Sequence, residues 1–185
     1  MRRLTRLTVR VQRALLLTGV LLLGAVGARA QSAKGGKIDP TWLRADAASK
    51  TVEFKLVAGL SEANGGMNFN GFGRGALVLT VTQGWNVVLH FKNQDPNLPH
   101  SVEVIPDAAP MPVGPVTPAF EHATTGRLDQ GFSAGQGGDV RFVPGKAGPF
   151  LLFCAVPGHG AAGMWIRLVV SEAVDKPAVA TAAER

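Results

Sequence analysis

Cys154, the single cysteine of this 185-residue chain, stands in the run Phe153-Cys154-Ala155-Val156-Pro157-Gly158-His159-Gly160-Ala161-Ala162-Gly163-Met164-Trp165. The spacing is Cys-x4-His-x4-Met, so one short loop offers a thiolate, an imidazole and a thioether. A further histidine, His100, follows Pro99 well upstream. Copper(II) favours nitrogen in a tetragonal array, and copper(I) favours soft, low-coordinate donors. Two imidazoles, a thiolate and a weak axial thioether lie between these preferences and make up the donor set of a blue-copper electron-transfer site. The residues thus predict one type 1 copper per chain, held by His100, Cys154, His159 and Met164.

The flanking sequence is suited to positioning such donors. Cys154 ends the apolar run Phe150-Leu151-Leu152-Phe153, which would keep the sulfur dry at the end of a strand. Pro157-Gly158 predicts a tight turn that lets thiolate and imidazole converge. Gly163 permits a second bend before the strand resumes through Trp165-Ile166-Arg167-Leu168. His100 leaves the loop Asn97-Leu98-Pro99 and enters the alternating Ser101-Val102-Glu103-Val104. The two remaining histidines, His90 and His122, have no soft neighbours and read as structural or surface residues, with a docking role open for His122. Met111 reads as packing. Gly71-Phe72-Gly73-Arg74-Gly75 lacks the Lys-Ser/Thr and the following helix of a phosphate loop.

Around these residues the pattern is one of strands and turns. Thr51–Ala58 alternates, with Val52, Phe54, Leu56 and Ala58 on one face. Ala76–Val81 and Asn86–Phe91 are joined by a hairpin-like Thr82-Gln83-Gly84-Trp85, and strands are expected at Ser101–Ile105, Asp139–Val143, Pro149–Cys154 and Met164–Ser171. Seven or eight short strands with turn signals between them predict an all-β Greek-key sandwich or barrel over residues 51–171. Asp39-Pro40 predicts a short helix over Thr41–Ala48 within a lead-in of residues 31–50. The Ala-rich tail, 172–185, is expected to be frayed. The interval Pro106–Gly138 breaks the rhythm with five prolines, yet its Met111, Val113, Val116, Phe120 and Phe132 call for packing against something.

The formal charge of +6 misleads about partners. Six arginines and no acid lie in residues 1–30; without them thirteen cationic side chains face thirteen acids. A neutral remainder has no electrostatic claim on nucleic acid. Residues 1–30 have the Arg-rich start, apolar run (Ala14 to Gly27) and Ala28-Arg29-Ala30 end of a secretory signal peptide. Cleavage after Ala30 would leave 155 residues, and an uncleaved leader would tether the chain to a membrane. Export places the protein in the periplasm or elsewhere outside the cytoplasm. There a lone cysteine needs a reason such as metal ligation.

At the ligand loop the chain resembles the cupredoxins, and within them the sulfocyanin and rusticyanin branch. Those proteins also carry Cys-x4-His-x4-Met and a first copper histidine followed by serine, here His100-Ser101. Asn68-Phe69-Asn70-Gly71 is similar to a sulfocyanin stretch ahead of the first ligand. The resemblance covers roughly residues 50–171. It implies the same four ligands, a hydrogen bond from Ser101 across to the loop near Cys154, and a high reduction potential. The expected function is single-electron carriage rather than enzymatic turnover, by a monomer docking transiently near His159 with cytochromes or a terminal oxidase. Copper delivery or storage is the alternative.

Overall fold

The computed structural model describes residues 36–172 and 176–182. The expected signal peptide, residues 1–30, lies outside them. Among the described residues nine strands follow in chain order: β1 (Leu43–Asp46), β2 (Thr51–Ala58), β3 (Leu77–Thr82), β4 (Asn86–Asn93), β5 (Glu103–Pro106), β6 (Gly137–Phe142), β7 (Gly148–Phe153), β8 (Trp165–Ser171) and β9 (Ala178–Thr181). They form two sheets, ordered β1-β2-β4-β6 and β5-β7-β8-β3-β9. One apolar cluster is shared by the two sheets, with Val52, Phe54, Leu56 and Leu89 from the first and Leu77, Leu79, Leu152, Ile166 and Leu168 from the second. The architecture is therefore the expected all-β sandwich. β2 alternates as its sequence predicts, burying Val52, Phe54, Leu56 and Ala58 completely.

Three expectations are corrected. The helix over Thr41–Ala48 is a single 3-10 turn, Pro40–Trp42, in which the Asp39 carboxylate accepts from the Thr41 N–H. It stops there because Leu43 pairs with Phe54 and the chain continues as β1 beside β2. The Thr82–Trp85 link does not close a hairpin, since β3 and β4 belong to different sheets and the turn carries the chain between layers. The tail is not frayed where described: β9 pairs antiparallel with β3, Leu77 opposite Thr181 and Thr80 opposite Ala178.

The Pro-rich interval is a covering layer. Phe120 enters the shared core and stacks on Phe142 at 5.8 Å. Met111 and Leu128 pack with Trp165 on a second cluster, Ile105, Leu151, Phe153 and Ala155. β7 is for this reason apolar on both faces, as buried strands are. Asn68 and Asn70, both buried, close the loop after β2 by bonding backbone groups. Asn70 accepts from the Val57 N–H and donates to the Lys55 carbonyl. Asn68 donates to Ser61 and Ala63. Gly71–Gly75 then leads into strand β3, not a helix.

Candidate metal centre

The ligand loop connects β7 to β8. Cys154 follows the last residue of β7, and its N–H donates to the Met164 carbonyl at 3.0 Å, while the Met164 N–H donates to the His159 carbonyl at 3.0 Å. Between them the His159 N–H closes a turn on Val156 at 3.1 Å. Gly158 has φ 87°, the left-handed value demanded after proline in that turn, and Gly163 has φ 108° at the second bend. Both expected turns are present. The Gly158 N–H donates to the Val113 carbonyl at 2.7 Å, so the Pro-rich layer holds the loop from outside.

His100 arrives from the β4–β5 connection. Its N–H and C=O pair with Phe132, at 3.1 and 2.7 Å, in an isolated two-residue bridge. The Pro-rich interval thus clamps both halves of the site, a role that its irregular sequence did not reveal. Ser101 makes the expected link. Its N–H points at Cys154 Sγ at 3.5 Å, its hydroxyl accepts from the Ala155 N–H at 3.2 Å, and the same hydroxyl donates to the Leu128 carbonyl at 2.8 Å.

Three donor atoms converge. His100 Nδ1 and His159 Nδ1 are 3.2 Å apart, and they lie 3.9 and 3.7 Å from Cys154 Sγ. A single ion with bonds of about 2.0–2.3 Å spans such a triangle. Met164 is fully buried in the same cluster as Cys154. Among the described residues this is the one group of three or more His, Cys, Asp or Glu side chains placed to hold an ion. His90 instead pairs with Asp139 at 2.8 Å, and exposed His122 pairs with Glu121 at 3.3 Å.

The electrostatics suit a neutral-nitrogen, thiolate set. Burial lowers His100, against the opposing pull of Asp95, and burial with the neighbouring His100 lowers His159. Both rings therefore favour the uncharged, ligating form. Burial pushes the Cys154 thiol up, opposed by N–H groups of Ser101 and Val156 aimed at the sulfur. A cation is what would complete this arrangement, because it turns the buried thiol into a thiolate. Sequence reasoning missed Asp95, whose carboxylate meets His100 Nε2 at 3.1 Å. The only signal was an Asp-Pro pair five residues before the histidine.

A β-sandwich that gathers two imidazoles, one buried thiol and a buried methionine at one strand end defines a blue copper protein, a cupredoxin. Residues 39–181 match the sulfocyanin (SoxE) domain. The chain is 34% identical over 136 residues to the sulfocyanin of Sulfolobus acidocaldarius, covering 70% of this chain and 68% of that one. It belongs to the sulfocyanin family. Solved structures similar to it include rusticyanin from Thiobacillus ferrooxidans, with 22% identity, TM-score 0.48, and coverage of 71% of this chain and 88% of that one. Another is auracyanin A, a "blue" copper protein of Chloroflexus aurantiacus, with 21% identity, TM-score 0.47, and coverage of 65% and 99%.

Proposed function

We propose that this protein is a single-electron carrier working outside the cytoplasm. The observation that carries the reading is the unequal exposure of the donors. His100, Cys154 and Met164 are fully buried, and His159 alone is half-buried, beside exposed Pro157 and Ala161. Bound copper supplies a one-electron couple. The chain supplies rigid donors, a dry sulfur and one imidazole edge through which orbitals of a partner can couple. Val113, 66% exposed, lies on the segment bonded to Gly158 and extends the weakly apolar rim around that edge. Such a rim suits short-lived encounters.

The partners are redox proteins, cytochromes or a terminal oxidase, met by a monomer. A delivery or storage role would require a donor open to exchange, which the buried set argues against. An enzyme would require an open position for substrate at the metal, which a methionine ligand would obstruct. The chain's expected export agrees with a cysteine kept for metal rather than for a disulfide.

The test is the visible and EPR spectrum of the purified protein with copper(II), followed by electron exchange with a cytochrome. An intense thiolate-to-copper band with narrow copper hyperfine splitting is expected, and Ala161→Asp should slow exchange several-fold with that band unchanged. A colourless copper protein would sink the copper reading. Rapid surrender of copper to a chelator would favour delivery, and unchanged kinetics in Ala161→Asp would remove His159 as the port.

A further inference from the structure

His100 presents one ring nitrogen to the metal centre and the other to a buried anion. Nδ1 faces Cys154 Sγ and His159 Nδ1, and Nε2 lies 3.1 Å from Asp95 Oδ2. Asp95 is 5% exposed and His100 not at all. The other carboxylate oxygen, Oδ1, accepts from the backbone N–H groups of Asn97 at 2.8 Å and Leu98 at 3.0 Å. When Nδ1 binds a metal the ring proton must reside on Nε2, so all three polar contacts of the Asp95 carboxyl group are then donors pointing in. A carboxylate satisfies three donors, whereas a protonated carboxyl would set hydrogen against hydrogen at one of them.

The surrounding chain is built to keep this group in place. Asn93, fully buried, accepts from the Asp95 N–H at 2.8 Å and donates to the carbonyls of Leu98 and Phe132. It ties the Asp95 turn to the same residue that bridges His100. Gly66 closes the site from the loop after β2: a Cβ there would lie 2.3 Å from Asp95 Oδ2. Only glycine lets that loop approach the carboxylate so closely, and the loop thereby covers Oδ2 from that side.

We propose that Asp95 is a positioning residue of the copper centre, which fixes His100 as an Nδ1 donor and lowers the reduction potential by adding anionic charge behind that ligand. Metal-binding histidines characteristically give their second N–H to such a partner, which sets the tautomer and raises ligand basicity. A more basic imidazole favours copper(II) over copper(I). The negative charge is nearly buried, so its effect on the metal is screened less than that of a surface carboxylate. The potential this protein reaches is thus a balance between its buried sulfur and this carboxylate.

The inference rests on the type 1 copper reading and is separable from it. Asp95→Asn keeps the side-chain shape and an acceptor for Asn97 and Leu98, but removes the charge and turns an NH2 group toward the His100 Nε2–H. Copper(II) affinity should fall about 10–100-fold and copper(I) affinity less, so the reduction potential rises while the blue band persists. A merely structural role would weaken both oxidation states alike and leave the potential where it was. Nitrogen-15 NMR of the wild-type protein, copper-free and zinc-loaded, should show His100 protonated on Nε2 with a slowly exchanging ring proton. An unchanged potential in Asp95→Asn, or a wild-type His100 carrying its proton on Nδ1, would overturn the proposal. The copper-free tautomer is read without any copper, so it stands or falls independently of the blue spectrum.

Discussion

Ser101 joins three segments through one amide and one hydroxyl: its own strand lead-in, the ligand loop at Ala155 and the Pro-rich layer at Leu128. Ser101→Ala keeps the amide on Cys154 Sγ but leaves the Ala155 N–H and the Leu128 carbonyl without their partner in a buried place. The cost should be about 1–3 kcal/mol, measured by denaturant unfolding of the copper-free protein, with copper binding retained. A variant as stable as the parent would show that this hydroxyl bridges nothing of consequence. At this scale the sequence was informative about the donors, because a lone cysteine and four histidines leave few ways to assemble a soft site. It was uninformative about Asp95. Thirteen acidic residues gave no reason to single it out, and its partnership with His100 exists only once the chain doubles back through Pro96 and Pro99.

The strands were legible where one face meets the core and the other meets solvent, as in β2, whose predicted and observed limits coincide at Thr51 and Ala58. Legibility failed where pairing, not pattern, decides. Ala178-Val179-Ala180-Thr181 has little hydrophobic signal and forms β9 because β3 offers it an unpaired edge. Likewise the capping signal at Asp39 was real, but β2 recruits Leu43 before a second helical turn can form. β9 places Val179 against the core and covers the outer edge of the second sheet. Ending the chain after Lys176 should therefore cost about 2 kcal/mol, on the order of one apolar side chain's burial. It should also promote self-association through the bared β3 edge. Unfolding and sedimentation measurements check both effects. The blue band should survive, because the backbone bonds that hold the ligand loop run to Val113, to Arg74 and within the loop itself, none of them to β9. Unaltered stability and a monomeric truncated chain would make β9 an ornament of the fold.

Across the described domain, the Pro-rich layer changes what the sandwich buries. The alternation in Ser101-Val102-Glu103-Val104 suggests an outward Glu103, yet the layer folds over that face and leaves Glu103 fully buried. One carboxyl oxygen accepts from the Val116 N–H at 3.2 Å, and the other has no hydrogen-bond partner in the structure. Burial consequently raises the Glu103 pKa above the ordinary 4.5, with the Val116 N–H opposing. The folded protein then holds this proton more tightly than the unfolded chain. Stability from the protonated group is complete below about pH 4.5 and is lost as pH rises through the raised native value. Within that window the loss can reach about 1.4 kcal/mol per pH unit. Glu103→Gln removes the titration while keeping an acceptor for Val116. Unfolding free energies measured from pH 4 to 8, by denaturant and as about-unit steps in pH, should therefore diverge, the variant gaining on the wild type as pH rises. The layer responds locally as well: wild-type amides around Val116 should lose hydrogen-exchange protection over the same window, since an ionised Glu103 is driven toward water and takes its cover with it. Curves that stay parallel across the whole range would mean that the carboxyl finds solvent without disturbing the fold. In that case the covering layer would be looser than its packing of Met111, Phe120 and Leu128 implies.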